Sequence, residues 1–73
     1  MSDVRADMVA NVMEIYVTQG ATLNVGDTIV LLESMKMEIP VLSEIPGTVV
    51  EIAVAPGDVI QEGDLLIRLE AKA

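Results

Sequence analysis

The sequence contains an internal repeat with an offset of 37 residues. Residues 10–33 align with residues 47–70, and nine of these 24 positions are identical. The identical pairs are Val12/Val49, Glu14/Glu51, Ile15/Ile52, Val17/Val54, Gly20/Gly57, Gly26/Gly63, Asp27/Asp64, Leu32/Leu69 and Glu33/Glu70. A unit this small cannot bury its own apolar face, so the two copies are predicted to pack on each other with pseudo-twofold symmetry.

The composition of the copies predicts strands. The chain has eleven Val and seven Ile against seven Leu, and its five Gly and three Pro all lie between apolar runs. Residues 4–17 also have a helical spacing of apolar side chains, but the Pro-Gly start of the second copy excludes a helix there, and the first copy is predicted to follow it. The predicted strands are Val4–Val9, Asn11–Val17, Thr22–Leu23, Thr28–Glu33 and Met37–Leu42, and in the second copy 49–54, Val59–Ile60 and Leu65–Glu70.

These strands predict one all-β domain over residues 1–73. The half-repeats, about 10–33 and 47–70, are joined by a hairpin at residues 34–37. About eight short strands in two equivalent units predict a flattened β-barrel or sandwich.

The residue types that are missing exclude most catalytic chemistry. The chain has no His, Cys, Trp or Phe, and Tyr16 is its only aromatic residue. It therefore cannot form a Ser-His-Asp or Cys-His triad, a zinc finger or an aromatic platform for bases. The Gly-Asp pairs lack the spacing of a calcium loop and are interpreted as turns. We predict no catalytic residue and no metal site.

The charge of the chain excludes other partners. Four basic residues against twelve acidic ones give a net charge of −8, so nucleic acid and anionic membranes are not expected to bind. The 52% of hydrophobic residues still predicts a folded core. The longest aliphatic run, Ile29–Leu32, is too short to span a membrane, and the polar N-terminal sequence is unlike a signal peptide. A cytoplasmic monomer is the default expectation.

The junction of the two copies departs from ordinary turn chemistry. The chain has to reverse between Ser34 and Met37, and tight hairpins favour Asn-Gly or Asp-Gly. None of the residues 34–37 adopts a positive φ at low cost. Such local violations are expected at functional sites.

Lys36 is the residue of this turn whose side chain, an amine, could take part in a reaction. A lysine at a hairpin tip is usually only a solubilising charge, but here it is flanked by Met35 and Met37 at the junction of a repeat. A catalytic lysine needs burial or a nearby cation, whereas Lys36 lies between Glu33 and Glu38 on a turn predicted to face solvent. It is better suited to be acylated by another enzyme.

The segment Glu33-Ser34-Met35-Lys36-Met37-Glu38 resembles the biotin-attachment motif of biotin carboxyl carrier domains. Pro46-Gly47-Thr48-Val49 and residues 57–66 resemble the second half of that family, and the likeness covers about residues 8–70. Val9-Ala10, where many members have Pro-Gly, and Ser34, where Ala is common, depart from it. The segment between Val17 and Thr28 leaves no room for the additional thumb loop of some bacterial carriers.

The resemblance implies two four-stranded antiparallel sheets related by a quasi-dyad, with the modified lysine on a hairpin. It implies that a biotin protein ligase recognises Met35, Met37 and, more weakly, Glu33, and joins biotin to Lys36. A biotin carboxylase and a carboxyltransferase would then use the biotin to carry carboxylate. The chain would itself be a carrier and not an enzyme.

Two alternatives stay open. A lipoyl domain would be modified on the same lysine, although methionines on both sides favour biotin. An unmodified acidic β-module could instead bind a protein partner through its charge. Lys72, the other lysine, falls over Met35 in the repeat register and is expected on a frayed C-terminus.

Overall fold

The strands alternate with short turns along the whole chain. The computed structural model describes residues 1–72, and within them the chain forms eight strands and no helix. The strands are β1 (Ser2–Arg5), β2 (Ala10–Ile15), β3 (Thr22–Leu23), β4 (Thr28–Ser34), β5 (Met37–Leu42), β6 (Gly47–Ile52), β7 (Val59–Ile60) and β8 (Leu65–Ala71).

The strands form two four-stranded antiparallel sheets. Sheet A has the order β1-β8-β6-β3, and sheet B has the order β5-β4-β2-β7. A shift of 37 residues converts the order of one sheet into the order of the other, strand by strand. The register shift between Val12 and Glu14 in β2 recurs between Val49 and Glu51 in β6. The predicted fold class and its quasi-twofold symmetry are therefore confirmed.

Hydrogen bonds between the two copies follow the same symmetry. The amide of Gly20 donates to the Val49 carbonyl at 2.7 Å, and its equivalent at Gly57 donates to Val12 at 2.8 Å. Each copy thus anchors the loop of the other to its own long strand. The repeat observed in the sequence is a repeat of backbone hydrogen bonds.

The core lies between the sheets and contains residues of both copies. Equivalent positions such as Leu32 and Leu69 are both about fully buried, with 1% of each side chain exposed. The remaining buried apolar residues are Ala6, Ala10, Val12, Val17, Leu23, Ile29, Val30, Val49, Ile60, Leu66 and Ile67. Aliphatic burial of this kind is the main stabilising contribution, since the chain has no cysteine to form a disulfide.

The glycine turns have the geometry that their sequence requires. Gly57 has φ +94°, follows Pro56, and the Asp58 amide donates to the Ala55 carbonyl at 3.1 Å, as in a type II turn. The Asp58 carboxylate accepts a hydrogen bond from the Ala55 amide at 2.9 Å. Asp27 and Asp64 close their turns in the same way, at 2.8 Å each. These carboxylates complete turns, as the sequence predicted.

The starts of the two long strands tolerate different small residues. A Cβ at Gly47 would lie 2.7 Å from the Glu70 carbonyl oxygen, so only glycine fits this part of β6. Its equivalent Ala10 is accommodated in β2 with 5% of its surface exposed. The departure from the family pattern at Val9-Ala10 therefore keeps a small residue where the backbones approach.

The predicted boundaries were wrong by two residues or more at three strands, of which the one predicted at 49–54 spans Gly47–Ile52. We predicted a strand at Val4–Val9, but β1 ends at Arg5, because Ala6 exchanges backbone hydrogen bonds with the turn at Gly63-Asp64, at 2.8 and 2.9 Å. The strand predicted at Asn11–Val17 spans Ala10–Ile15. Val17 is buried all the same, which explains why it matched the strand pattern.

Candidate functional site

The hairpin between β4 and β5 has a turn of only two residues. Ser34 pairs with Met37, which leaves Met35 and Lys36 as the whole turn. Their φ angles are +52° and +65°, and they are the only non-glycine residues with positive φ within residues 1–72. A two-residue hairpin of type I′ needs positive φ at both positions to match the strand twist. The turn therefore adopts a conformation that costs L-residues of order 1–2 kcal/mol each.

This conformation displays the side chains of the turn. Met35 is 92% exposed and Met37 is 63% exposed, and Lys36 is exposed between them. Apolar side chains at such exposure are candidates for recognition by another protein. Within residues 1–72 the ion pairs involve Arg5 and Arg68, and none involves Lys36. The amine is accessible to a reagent or an enzyme.

The base of the hairpin is fixed by the core. Leu32, two residues before Ser34 in β4, is buried, and its partner Ile39 in β5 packs against the core. β4 lies between β5 and β2, so it is hydrogen-bonded on both sides. The tip thus projects from a well-packed element, which is the arrangement that holds a reactive group in one place.

Two carboxylates lie beneath the lysine. Glu33 is half-buried and pairs directly with the exposed Glu38 across the two strands. Like charges at opposed positions destabilise a sheet, so this pair is a second local cost at the hairpin. It also makes the surroundings of Lys36 acidic.

Lys72 occupies a different position. Its amide donates to the Pro46 carbonyl at 3.1 Å, just beyond the end of β8, and its side chain is exposed. This bond continues the backbone hydrogen bonding by one residue beyond β8, while the side chain faces solvent. It lies on no hairpin within residues 1–72.

Sequence reasoning gave no role to Tyr16, which the structure places near the hairpin strands. Hydrogen bonding to Glu14 is the main cause that raises the pKa of Tyr16 above its ordinary value, and desolvation and the charge of Glu38 add to it. Tyr16 is 51% exposed. The repeat could have identified Tyr16, because the two copies differ at this position: the equivalent residue in the second copy is the small Ala53.

The sequence and the fold of this chain are similar to those of known proteins. The sequence matches the family described as "Biotin-requiring enzyme" over residues 2–69. The chain belongs to the biotin/lipoyl attachment family. It is 56% identical over 64 residues to the biotinylated protein TB7.3 homolog of Mycobacterium leprae, covering 88% of this chain and 90% of that protein. Membership confirms the fold class, the family and biotin as the predicted cofactor.

Solved structures of the family have the same architecture. A single-chain, multi-domain long-chain acyl-CoA carboxylase matches with a TM-score of 0.92 and 30% identity, over 97% of this chain and 7% of that one. The lipoyl domain of the 2-oxoglutarate dehydrogenase complex from Azotobacter vinelandii matches with a TM-score of 0.86 and 25% identity, over 100% of both chains. The backbone is therefore common to biotinyl and lipoyl domains.

No group of three or more metal-ligating side chains occurs in the part of the chain that the structure describes. No helix within residues 1–72 is long and apolar enough to cross a membrane.

Proposed function

We propose that this chain is a biotinyl carrier that receives biotin on Lys36 from a biotin protein ligase. The observation that supports this most directly is the two-residue turn, in which Met35 and Lys36 hold positive φ and project from the end of the hairpin. A carrier needs one accessible amine on a stable base and no catalytic residue of its own.

The residues of the tip fit the attachment of biotin. The Lys36 amine would lose its proton to the ligase and attack an activated biotin carboxyl group. A C–N amide bond forms, and the activating group leaves with the electrons of the bond that it loses. This step removes the positive charge of Lys36, so the net charge changes from −8 to −9. Bound biotin would supply a ureido nitrogen that carries carboxylate.

We assign recognition by the ligase to Met35, Met37 and Glu33. The two exposed methionines flank the amine and offer apolar contacts in any approach to it. Glu33 is half-buried at the base of the tip and would contribute a weaker, charged contact.

The carrier would serve a biotin carboxylase and a carboxyltransferase. The likeness to part of a multi-domain acyl-CoA carboxylase supports this role, and the 90% coverage of a small biotinylated protein supports a carrier that meets these enzymes as a separate subunit. We propose that the chain works as a monomer and catalyses no reaction itself.

Labelling by purified enzymes tests the proposal. The chain is incubated with a biotin protein ligase, biotin and ATP, and its intact mass and streptavidin blot are recorded. We expect one biotinyl group on the wild type and on Lys72→Arg, and none on Lys36→Arg, which keeps the charge. An unlabelled wild type, or a labelled Lys36→Arg, would contradict the assignment. Labelling only by a lipoate ligase with lipoate would favour the lipoyl alternative.

A further inference from the structure

The outer face of sheet A carries a network of ion pairs. Arg68 in β8 contacts Asp3 in β1 and Glu51 in β6, each at 2.9 Å, and Arg5 contacts Asp3 at 2.9 Å. A mixed charged surface of this kind is typical of a sheet that faces water.

Three of the four equivalent positions of sheet B, which bears Lys36, are apolar, and the fourth, Glu14, keeps the carboxylate of Glu51. The 37-residue shift places Leu31 over Arg68, Pro40 over Asp3, Leu42 over Arg5 and Tyr16 over Ala53. Leu31 and Pro40 pair directly across β4 and β5. Leu42 is 47% exposed and Tyr16 is 51% exposed. We call these four residues the apolar face.

The fold does not require the apolar face. The same backbone accepts Arg68, Asp3 and Arg5 on sheet A, so packing within the sheets does not explain the apolar residues at these three positions on sheet B. Leu31 alternates with the buried Val30 and Leu32 and does not belong to the core cluster, so it points away from the core. An apolar cluster with no role in the fold indicates contact with another molecule.

Acidic residues border the apolar face and restrict its partner. Glu14 pairs with Leu31 across β2 and β4, and Glu38 pairs with Glu33 across β4 and β5. Both Glu14 and Glu38 raise the pKa of Tyr16. A second copy of this chain, with a net charge of −8, would bring the same carboxylates against these. Charge complementarity calls for a surface with an apolar centre bordered by Lys and Arg.

We propose that the apolar face docks the biotin protein ligase while Lys36 is acylated. This inference rests on the proposed function. Leu31 lies three residues before Ser34 in β4. It is therefore about 10 Å along the strand from the Ser34–Met37 pair that flanks the turn. An enzyme that forms a bond at the Lys36 amine has to approach the hairpin closely, so its surface extends over the adjoining part of sheet B.

Steady-state kinetics of biotinylation by a purified ligase test the docking. The variant Tyr16→Ala/Leu42→Gln removes apolar contacts without changing the net charge. We expect its KM as a carrier substrate to rise roughly tenfold, with kcat within about twofold of the wild type, because aromatic anchors dominate such interfaces. The control Val25→Gln removes an exposed apolar residue from a turn and should leave both constants unchanged. Thermal melting verifies that each variant folds.

The charged border is tested by a second pair of variants. Glu14→Gln/Glu38→Gln should raise KM and weaken its dependence on salt, whereas Glu62→Gln/Glu44→Gln, with the same change of charge, should not. A wild type that the ligase does not label overturns the proposed function. A labelled wild type whose KM is unchanged in both test variants, or changed equally in the controls, overturns the docking inference alone.

Discussion

At the scale of single residues, the conformation of the hairpin tip lowers stability and keeps two long side chains exposed. Met35 and Lys36 hold positive φ where Asn-Gly would be easier, and the sequence therefore keeps two long side chains at the point of reversal. Because Met35 is 92% exposed, its side chain contributes little burial in return. The conformational cost is explained by the exposure of these side chains, which makes them available to another protein.

Replacing Met35 by glycine should separate these two effects. Met35→Gly removes the penalty of a Cβ at φ +52° and should stabilise the fold by about 1 kcal/mol, while labelling by the ligase slows because an apolar contact is lost. Urea unfolding and initial labelling rates measure the two effects. Val25→Gly, at an exposed position without positive φ, should instead lower stability. A destabilised Met35→Gly would show that the turn is not strained.

At the scale of strands, the ion pairs of sheet A hold the edge strand β1 to the neighbouring strand β8. β1 is the outermost strand of the sheet and spans four residues, Ser2–Arg5. Asp3 joins it to Arg68 in β8, and this hydrogen bond and charge hold the pKa of Asp3 below its ordinary value of 3.8. The network therefore links the stability of the edge to pH.

The lowered pKa of Asp3 predicts how this link appears in measurements. A carboxyl group with a depressed folded pKa stabilises the fold above its unfolded pKa, and the contribution is lost as the pH falls through the folded pKa. Asp3→Asn should therefore melt a few degrees below the wild type at neutral pH, and the difference should close as the pH falls below 3.8. Glu62→Gln, in the β7–β8 turn, should show no such closure. A difference that stays constant in acid would contradict the prediction.

The same scale shows how far the sequence could predict the structure. Repeats of Gly and Asp identified the turns, and alternation identified the strands, because each pattern depends on local chemistry. The end of β1 depends on hydrogen bonds from Ala6 to a turn about 58 residues later, which no local pattern contains. The tip at Lys36 was predicted because it breaks a local rule, whereas the apolar face was missed because its residues meet only across strands.

At the scale of the whole molecule, the quasi-twofold symmetry relates the hairpin to the chain termini. The repeat register places Lys72-Ala73 over Met35-Lys36, and Ser2 pairs with Leu69 as Ile39 pairs with Leu32. Two repeats of 37 residues would need 74, one more than the 73 of this chain. One inserted residue would therefore allow the termini to be joined by a hairpin equivalent to the one at Lys36.

A circular permutant tests whether the symmetry governs the fold. The chain begins at Val25 and ends at Asn24, Asn-Gly replaces Lys72-Ala73, and one Thr is inserted before Met1. Four residues then separate Ala71 from Ser2, as four separate Ser34 from Ile39. We expect thermal stability near that of the wild type and normal biotinylation of Lys36. Without the Thr, the connection is one residue short and the pairing of β1 with β8 should strain, so the melting temperature should fall. Equal melting temperatures of the two permutants would show that the symmetry between the hairpin and the termini does not extend beyond the strands.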